Sequence, residues 1–123
     1  MKAAIYSQKK DLDTFLYLSK FISELNKRGV KAIIYEQLFK DLEFSKEFST
    51  FSNYEDVKQE KIDFFFSFGG DGTILNALNF IKELEIPIIG VNTGRLGFLA
   101  SFSKEEIFSH IDEIITKEMN LSK

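Results

Sequence analysis

Apolar and polar residues follow one another along this chain in blocks that predict strands alternating with helices. Residues 3–6 form a short apolar run, and residues 30–35 form a second run that is rich in β-branched side chains. Between these runs, apolar residues recur at helical spacing over residues 12–28, and Gly29 follows as a typical helix stop. This strand, helix and strand together have the length of a βαβ unit.

The same pattern continues in the second half of the chain. Residues 62–68 form an apolar, β-prone run, residues 73–84 have a helical period, and residues 88–91 form a further strand that Pro87 opens. The predicted buried face of the helix consists of Ile74, Ala77, Leu78, Ile81 and Leu84.

A capping box marks the start of the last predicted helix. Ser103 and Glu106 have the residue types and the spacing of this motif. The residues expected to face inward from the helix are Ile107, Ile111, Ile114 and Ile115.

Residues 36–61 have no clean period, because phenylalanines lie scattered among Lys, Glu and Ser. We predict a short helix near residues 37–44 and an irregular segment after it. Long segments of this kind inside a compact domain are often functional. We expect residues 36–61 to be ordered in part by a ligand or by a further domain. The phenylalanines favour core packing, and the alternative for residues 39–51 is that they cover a site.

The order of elements predicts an α/β fold. Strands that are apolar throughout and alternate with amphipathic helices indicate a Rossmann-like open parallel sheet with helices on both faces. In such sheets, ligands bind beyond the carboxyl ends of the strands, near a topological switch point. The two glycine-containing loops of the chain follow predicted strands, so both are expected at that edge.

Composition limits the partners of this chain. Its 123 residues fit one domain, and its net charge of −3 provides no basic field for a nucleic acid or an anionic membrane. Cysteine is absent, which excludes disulfides and thiolate metal sites and agrees with a reducing cytoplasm. No run approaches the roughly 20 apolar residues of a spanning helix. We therefore predict a cytoplasmic protein with no nucleic-acid and no membrane partner.

The turn after residues 62–68 carries the candidate chemistry. It consists of Gly69, Gly70, Asp71, Gly72 and Thr73. A buried strand that leads through glycines into a helix N-terminus presents backbone N–H groups to phosphate. A carboxylate repels phosphate, so Asp71 must have another role, such as accepting a proton, holding a metal or capping the helix.

Two common phosphate-binding patterns do not fit this turn. The pattern G-x-x-x-x-G-K-[ST] needs a Lys that is missing here, and the dinucleotide fingerprint needs a third glycine where Leu75 stands. The second loop spans residues 92–98 and contains Asn92, Gly94, Arg95 and Phe98. Its glycines alone would suit an ordinary turn with positive φ. The functional interpretation makes Arg95 and backbone amides the ligand contacts.

GGDGT, followed by a helix, a strand and NTGRLGFLA, resembles the N-terminal domain of NAD kinases. The resemblance covers the whole chain in element order and is most specific over residues 68–75 and 90–100. GGDGT alone also occurs in diacylglycerol and sphingosine-type lipid kinases, and a close variant occurs in 6-phosphofructokinases. The NTGRLGFL loop narrows the match, and the implied fold is the phosphofructokinase/NAD kinase N-terminal-domain type.

The resemblance implies transfer of a phosphoryl group from ATP or polyphosphate to the 2′-hydroxyl of the adenosine ribose of NAD, which yields NADP. A divalent metal ion, expected to be Mg²⁺, takes part. Asp71 is implied as the proton acceptor, Arg95 as a contact of the NAD phosphates, and Leu75 with Phe98 as the adenine side of the pocket. The implied nucleotide contacts are Gly69, Gly70, Asp71, Gly72, Thr73, Leu75, Asn92, Gly94, Arg95 and Phe98.

The family grips NAD between two domains, and its second, mostly β domain supplies an Asn-Glu or Asn-Asp pair. Neither dipeptide occurs here. We therefore predict that residues 1–119 are an N-terminal α/β nucleotide-binding domain and that residues 120–123 begin an absent C-terminal domain. We expect little activity from the chain alone and a homo-oligomer, dimer or tetramer, for the full-length protein. The alternatives are a diacylglycerol or sphingosine-type lipid kinase and a nucleotide-binding module without catalysis.

Overall fold

The structure is a computed structural model, and it describes residues 1–9, 11–38, 49–93 and 102–121. Its elements, in chain order, are β1 (Lys2–Ser7), α1 (Leu12–Lys27), β2 (Lys31–Tyr35), β3 (Ser49–Phe51), α2 (Tyr54–Glu60), β4 (Phe64–Gly69), α3 (Asp71–Ile81), β5 (Ile88–Asn92), β6 (Phe102–Ser103) and α4 (Glu106–Leu121).

The strands form one six-stranded sheet in the order β3-β2-β1-β4-β5-β6, and every neighbouring pair is parallel. The chain starts in the middle of the sheet, runs outward to β3, and returns to pair β4 with β1. The switch point of the topology therefore lies between β1 and β4. The predicted open parallel sheet is confirmed, and its switch point is where such folds bind ligands.

Helices cover both faces of the sheet, as predicted. Phe64 and Phe66 of β4 belong to a core cluster with residues of α1 and α4, whereas Phe65 belongs to a second cluster with residues of α2 and α3. This division follows from the strand geometry, because successive side chains point to opposite faces. Aromatic contacts between layers reinforce the first core, since the rings of Phe21 and Phe66 pack edge to face at 4.9 Å.

The helix ends agree with the sequence signals. Asp11 caps α1 by accepting a hydrogen bond from the Thr14 N–H at 2.7 Å, and Gly29 follows the helix with φ +75°. The capping box is formed in both directions. The Glu106 N–H donates to Ser103 Oγ at 3.1 Å, and the Ser103 N–H donates to Glu106 Oε1 at 3.2 Å.

The predicted buried faces are confirmed for α4 and in part for α3. The isoleucines that were expected inward on α4 are all buried: Ile107, Ile111, Ile114 and Ile115. On α3, Ile74, Ala77 and Ile81 are buried, but Leu78 is 48% exposed. The prediction for Leu78 was wrong because α3 meets the sheet through a narrow stripe centred on Ala77, which leaves its neighbour outside.

The prediction of an irregular segment was wrong for residues 49–60, which form β3 and α2. The two elements are too short to show a period. They are identifiable only through the buried side chains of Phe51 and Val57 and through Asn53, whose side chain accepts from the Asp56 N–H at 3.0 Å and caps α2. Residues 36–38 are helical, and the rest of the predicted helix near residues 37–44 lies outside the described residues. Among the described residues, no helix has the length and hydropathy needed to cross a membrane.

Candidate functional site

The turn between β4 and α3 is open to an anion. β4 ends at Gly69, and Gly70, the N-cap residue of α3, makes no side-chain capping hydrogen bond. The first turn of an α-helix has N–H groups without intrahelical partners, and the helix dipole makes this end positive. The N-terminus of α3 therefore has the backbone groups that bind phosphate in other proteins.

Gly69 is required by the fold. Its φ is +155°, and a Cβ placed there would lie 2.4 Å from Thr73 Oγ1 and 2.8 Å from Thr73 Cβ. A Cβ on Gly70 or Gly72 would meet nothing within 4 Å. Contacts among the described residues thus explain the first glycine of the turn, whereas the other two leave open space.

Asp71 is the first residue of α3 and is half-buried. Because the N-cap is Gly70, the suggestion that Asp71 caps the helix was wrong. A carboxylate in the first helical turn is favoured by the helix dipole. The roles that stay open for Asp71 are proton acceptor and metal ligand.

No cluster of three or more His, Cys, Asp or Glu side chains suited to a metal occurs in the part of the chain that the structure describes.

Thr73 ties this turn to the loop after β1. Its Oγ1 donates a hydrogen bond to Gln8 Oε1 at 3.2 Å. Gln8 also interacts with Tyr6: burial raises the pKa of the Tyr6 hydroxyl, Tyr35 raises it further, and the hydrogen bond with Gln8 opposes both. Gln8 could not be identified from the sequence, because its partner is 65 residues away along the chain.

The second loop, residues 92–98, begins beside the GGDGT turn. Asn92 is the register partner of Gly69 and is 4% exposed, and the Thr93 N–H donates to the Gly69 carbonyl at 3.4 Å. The start of the second loop is thus held against the GGDGT turn at the same edge of the sheet. The further predicted contacts of this loop, Gly94, Arg95 and Phe98, lie outside the described residues.

A cavity of about 360 Å³ opens where these segments meet. The described residues that line it are Gln8, Lys9, Phe68, Gly69, Gly70, Thr73, Asn92 and Thr93. Lys9 alone among them carries a charge. A second cavity of about 210 Å³ shares Lys9, Phe68 and Thr93 and continues toward the start of α1.

Four of the predicted contacts line the larger cavity, and three lie beside it. The four are Gly69, Gly70, Thr73 and Asn92. Asp71, Gly72 and Leu75 belong to the same turn and helix but do not line this cavity.

The outer face of α3 carries Asp71 together with exposed apolar side chains. Leu75 is 56% exposed and Leu78 is 48% exposed. Residues at positions i, i+4 and i+7 of a helix lie on one face. Asp71, Leu75 and Leu78 have this spacing, so an apolar surface extends from the carboxylate along the helix.

Buried polar residues mark the same edge of the sheet. The four described polar side chains that are buried are Ser7, Ser67, Thr73 and Asn92. Ser7 and Asn92 end apolar strands, and Ser67 interrupts one. A polar residue at the end of an apolar strand, or inside one, was the sequence signal that could have added Ser7 and Ser67 to the candidate residues.

The comparisons with known proteins agree on one family. Residues 8–119 match the sequence family described as the ATP-NAD kinase N-terminal domain. The chain is 39% identical over 126 residues to an NAD kinase from Christiangramia forsetii, with 99% of this chain and 42% of that protein covered. It is 35% identical over 116 residues to an NAD kinase from Cytophaga hutchinsonii, with 90% of this chain and 39% of that protein covered.

The fold is also that of a solved kinase. The structure of yeast NADH kinase in complex with NADH aligns with a TM-score of 0.77 at 22% identity, over 96% of this chain and 38% of that chain. The chain therefore spans about two fifths of the length of the proteins it matches. Because the family match extends over residues 8–119 of 123, this chain belongs to the NAD kinase family and corresponds to its N-terminal domain.

Proposed function

We propose that this chain forms the phosphate-binding and proton-accepting part of an NAD kinase, which transfers a phosphoryl group from ATP or polyphosphate to the 2′-hydroxyl of the adenosine ribose of NAD. The observation that carries the proposal is the junction of the GGDGT turn with the second loop. The Thr93 N–H donates to the Gly69 carbonyl at 3.4 Å, beside an open cavity at the carboxyl edge of the sheet.

The phosphate donor binds at the β4–α3 turn. The N-terminus of α3 offers backbone N–H groups, and the open space at Gly70 and Gly72 lets phosphate oxygens approach the backbone. Phosphoryl transfer passes through a loose transition state, so catalysis depends mainly on positioning and on neutralising charge. A turn of preoriented N–H groups provides both.

The adenosine of NAD lies on the outer face of α3. A ribose hydroxyl placed at Asp71 would bring the adenine toward Leu75, four residues along the same face. Burial of apolar surface contributes about 25 cal/mol per Å². The exposed side chain of Leu75 therefore gives the adenine ring an apolar contact that the polar GGDGT turn lacks.

Asp71 accepts the proton of the 2′-hydroxyl as the transfer proceeds. The hydroxyl oxygen forms a bond to phosphorus, the donor's terminal P–O bond breaks, and the hydroxyl proton passes to the carboxylate. A general base of this kind contributes about 10²–10⁴ in rate, which corresponds to roughly 3–5 kcal/mol.

A divalent metal ion would bind at this site together with the phosphates of the donor. Mg²⁺ usually keeps several waters and binds through one or two carboxylates together with substrate phosphates. The described residues contain no cluster of three or more ligands, and Asp71 is the carboxylate within the GGDGT turn. Bound there, the ion would neutralise charge on the phosphates.

The remaining parts of the proposal lie beyond the described residues. Gly94, Arg95 and Phe98 complete the contacts of the second loop with NAD. Since the related NAD kinases are more than twice as long as this chain, we also propose that residues outside these 123 complete the NAD site and that the chain alone has little activity. The full-length protein is proposed to be a cytoplasmic homo-oligomer.

The test is Asp71→Asn in the full-length protein, with NADP formation measured from NAD and either ATP or polyphosphate. We expect kcat to fall by about 10²–10⁴ while NAD affinity is retained. Asp56→Asn is the matched control, because Asp56 lies in the first turn of α2, outside the residues that line the site.

An unchanged kcat for Asp71→Asn would refute the role of Asp71 as the proton acceptor. Phosphorylation of lipid in diacylglycerol vesicles, with no NADP formed, would favour the lipid kinase alternative. Nucleotide binding with no transfer from any donor would favour the binding module.

A further inference from the structure

The loop after β1 forms a wall of the cavity next to the GGDGT turn. β1 and β4 are parallel neighbours, and Ser7 at the end of β1 is the register partner of Phe68. The residues that follow Ser7 therefore emerge beside Gly69 and Gly70. Lys9 lines both cavities at this edge.

Buried hydrogen bonds hold the backbone of this loop. Ser7 is 1% exposed, and its Oγ accepts from the Lys9 N–H at 3.2 Å and donates to the Lys9 carbonyl at 3.4 Å. The next anchor is Gln8, which accepts from Thr73 Oγ1 at 3.2 Å. The loop is thus tied to its own strand and to α3, so the position of Lys9 relative to the GGDGT turn is set by the fold.

The two cavities differ in charge, since Asp11, Asp13 and Lys104 line the smaller one together with Lys9. Of the described residues lining the larger cavity, Lys9 alone is charged, and the GGDGT turn contains no Lys or Arg. The neighbouring carboxylate of Asp11 is already engaged, since it accepts from the Thr14 N–H at 2.7 Å. The whole chain has a net charge of −3, so no general basic field replaces a local cation.

We propose that Lys9 binds the phosphate chain of the donor and neutralises part of its charge. This inference rests on the proposed function, and it names the residue that supplies the cation. A lysine ammonium binds phosphate as a point charge with three donors, so it needs proximity more than a fixed geometry. The flexible stem of Lys9, on an anchored backbone beside the turn, meets that need. The GGDGT turn lacks a lysine, and Lys9 in the loop after β1 supplies one.

The ligand chemistry is a chain of phosphates, which both ATP and inorganic polyphosphate contain. Inorganic tripolyphosphate is the probe that isolates this chemistry, because it lacks a nucleoside. ATP is the second probe. A loss of affinity that is equal for both assigns Lys9 to the phosphates, whereas a loss for ATP alone would overturn the proposal.

The experiment compares Lys9→Gln, Lys9→Arg and Lys31→Gln in the full-length protein. Lys31 is the control, since it is exposed and starts β2 at the opposite edge of the sheet. Calorimetric titration measures tripolyphosphate affinity, and steady-state kinetics measure KM for ATP and for NAD.

Lys9→Gln is expected to weaken tripolyphosphate binding by about 10- to 100-fold and to raise the KM for ATP by a similar factor, which is the usual range for a charge-assisted hydrogen bond. NAD affinity should change by less than about twofold, because the adenosine lies on another face. Lys9→Arg should restore most of the tripolyphosphate affinity, and Lys31→Gln should behave as the wild type.

Equal tripolyphosphate affinities for Lys9→Gln and Lys31→Gln would overturn the proposal, as would a wild-type protein that does not bind tripolyphosphate. A drop in the unfolding temperature of Lys9→Gln together with weaker NAD binding would show a structural role instead. If tripolyphosphate binding depends on Lys9 but no NADP forms, the proposed function fails and the phosphate site stands. If NADP forms but Lys9→Gln binds tripolyphosphate and ATP as the wild type does, the role of Lys9 fails and the proposed function stands.

Discussion

Gly69→Ala tests the geometry of the GGDGT turn. The alanine Cβ would lie 2.4 Å from Thr73 Oγ1 and 2.8 Å from Thr73 Cβ. It would also have to adopt φ near +155°, a region that residues with a side chain rarely enter. Backbone strain of this kind costs about 1–3 kcal/mol, and overpacking costs about 1–3 kcal/mol. The variant is therefore expected to lose about 2–6 kcal/mol of the 5–15 kcal/mol that typically stabilises a domain.

Urea unfolding followed by circular dichroism measures this loss. The chain is expected to unfold with an m-value of about 1–3 kcal/mol per M, so the midpoint should fall by about 1 M or more. Gly70→Ala is the matched control. Its φ of −106° suits any residue, and its Cβ meets nothing within 4 Å. We expect Gly70→Ala to cost about 1 kcal/mol at most, because alanine is a poor N-cap.

A double-mutant cycle identifies the clashing partner. Thr73→Ala removes the hydroxyl and methyl groups that the new Cβ would meet and leaves only the Thr73 Cβ at 2.8 Å. Gly69→Ala combined with Thr73→Ala should therefore be less destabilising than the sum of the single changes, by about 1 kcal/mol. A Gly69→Ala variant as stable as Gly70→Ala would refute the steric argument and the geometry of the turn.

Three further predictions concern the core, an ion pair and a cap. Phe66→Ala should cost about 3–5 kcal/mol in urea unfolding, because Phe66 is fully buried, whereas Leu12→Ala, at a residue 65% exposed, should stay within about 0.5 kcal/mol. The Arg28 Nε–H donates to Asp112 Oδ1 at 2.6 Å and holds the pKa of Asp112 below its usual range. The advantage of the wild type over Asp112→Asn is therefore present at neutral pH and is lost as the pH falls through that lowered pKa. Thermal melts at pH 7 and about pH 2 check this sign, and an advantage that grows in acid would contradict it. Ser103→Ala should cost about 0.5–2 kcal/mol in urea unfolding, since it removes the hydrogen bond from the Glu106 N–H to Ser103 Oγ in the capping box of α4. An unchanged stability would contradict that role.

Much of the fold was predictable because its main elements are long and apolar. The run that ends at Gly69 has no polar interruption before Ser67, so it indicates a strand buried on both faces. The isoleucine spacing of α4 likewise defines its inward side. Local signals such as these were sufficient to infer the layers of the fold.

The missed elements are short ones. β3 has three residues and α2 has seven, too few for a period to stand out from chance. Their stability comes from tertiary burial of Phe51 and Val57. The exposure of Leu78 was missed for a similar reason, because the width of the stripe that α3 buries is set by its packing partners.

The candidate site was predictable only where its chemistry is local. The glycine turn could be identified from consecutive residues, and so could the helix that follows it. The contributions of Gln8 and Lys9 depend on β1 lying next to β4, a strand order that consecutive residues do not reveal. The pairing of Asn92 with Gly69 is likewise a consequence of the sheet register.

In the proposed function, nucleotide binds at the carboxyl edge of β1, β4 and β5. The most direct measurement is a map of backbone amide chemical shifts in the ¹⁵N-labelled full-length protein, titrated separately with NAD and with Mg-ATP. Mg-ATP is expected to shift the amides of Lys9, Gly70 and Gly72, and NAD is expected to shift those of Asp71 and Leu75. Shifts confined to the opposite edge, around Lys31 and the start of β4, would contradict it.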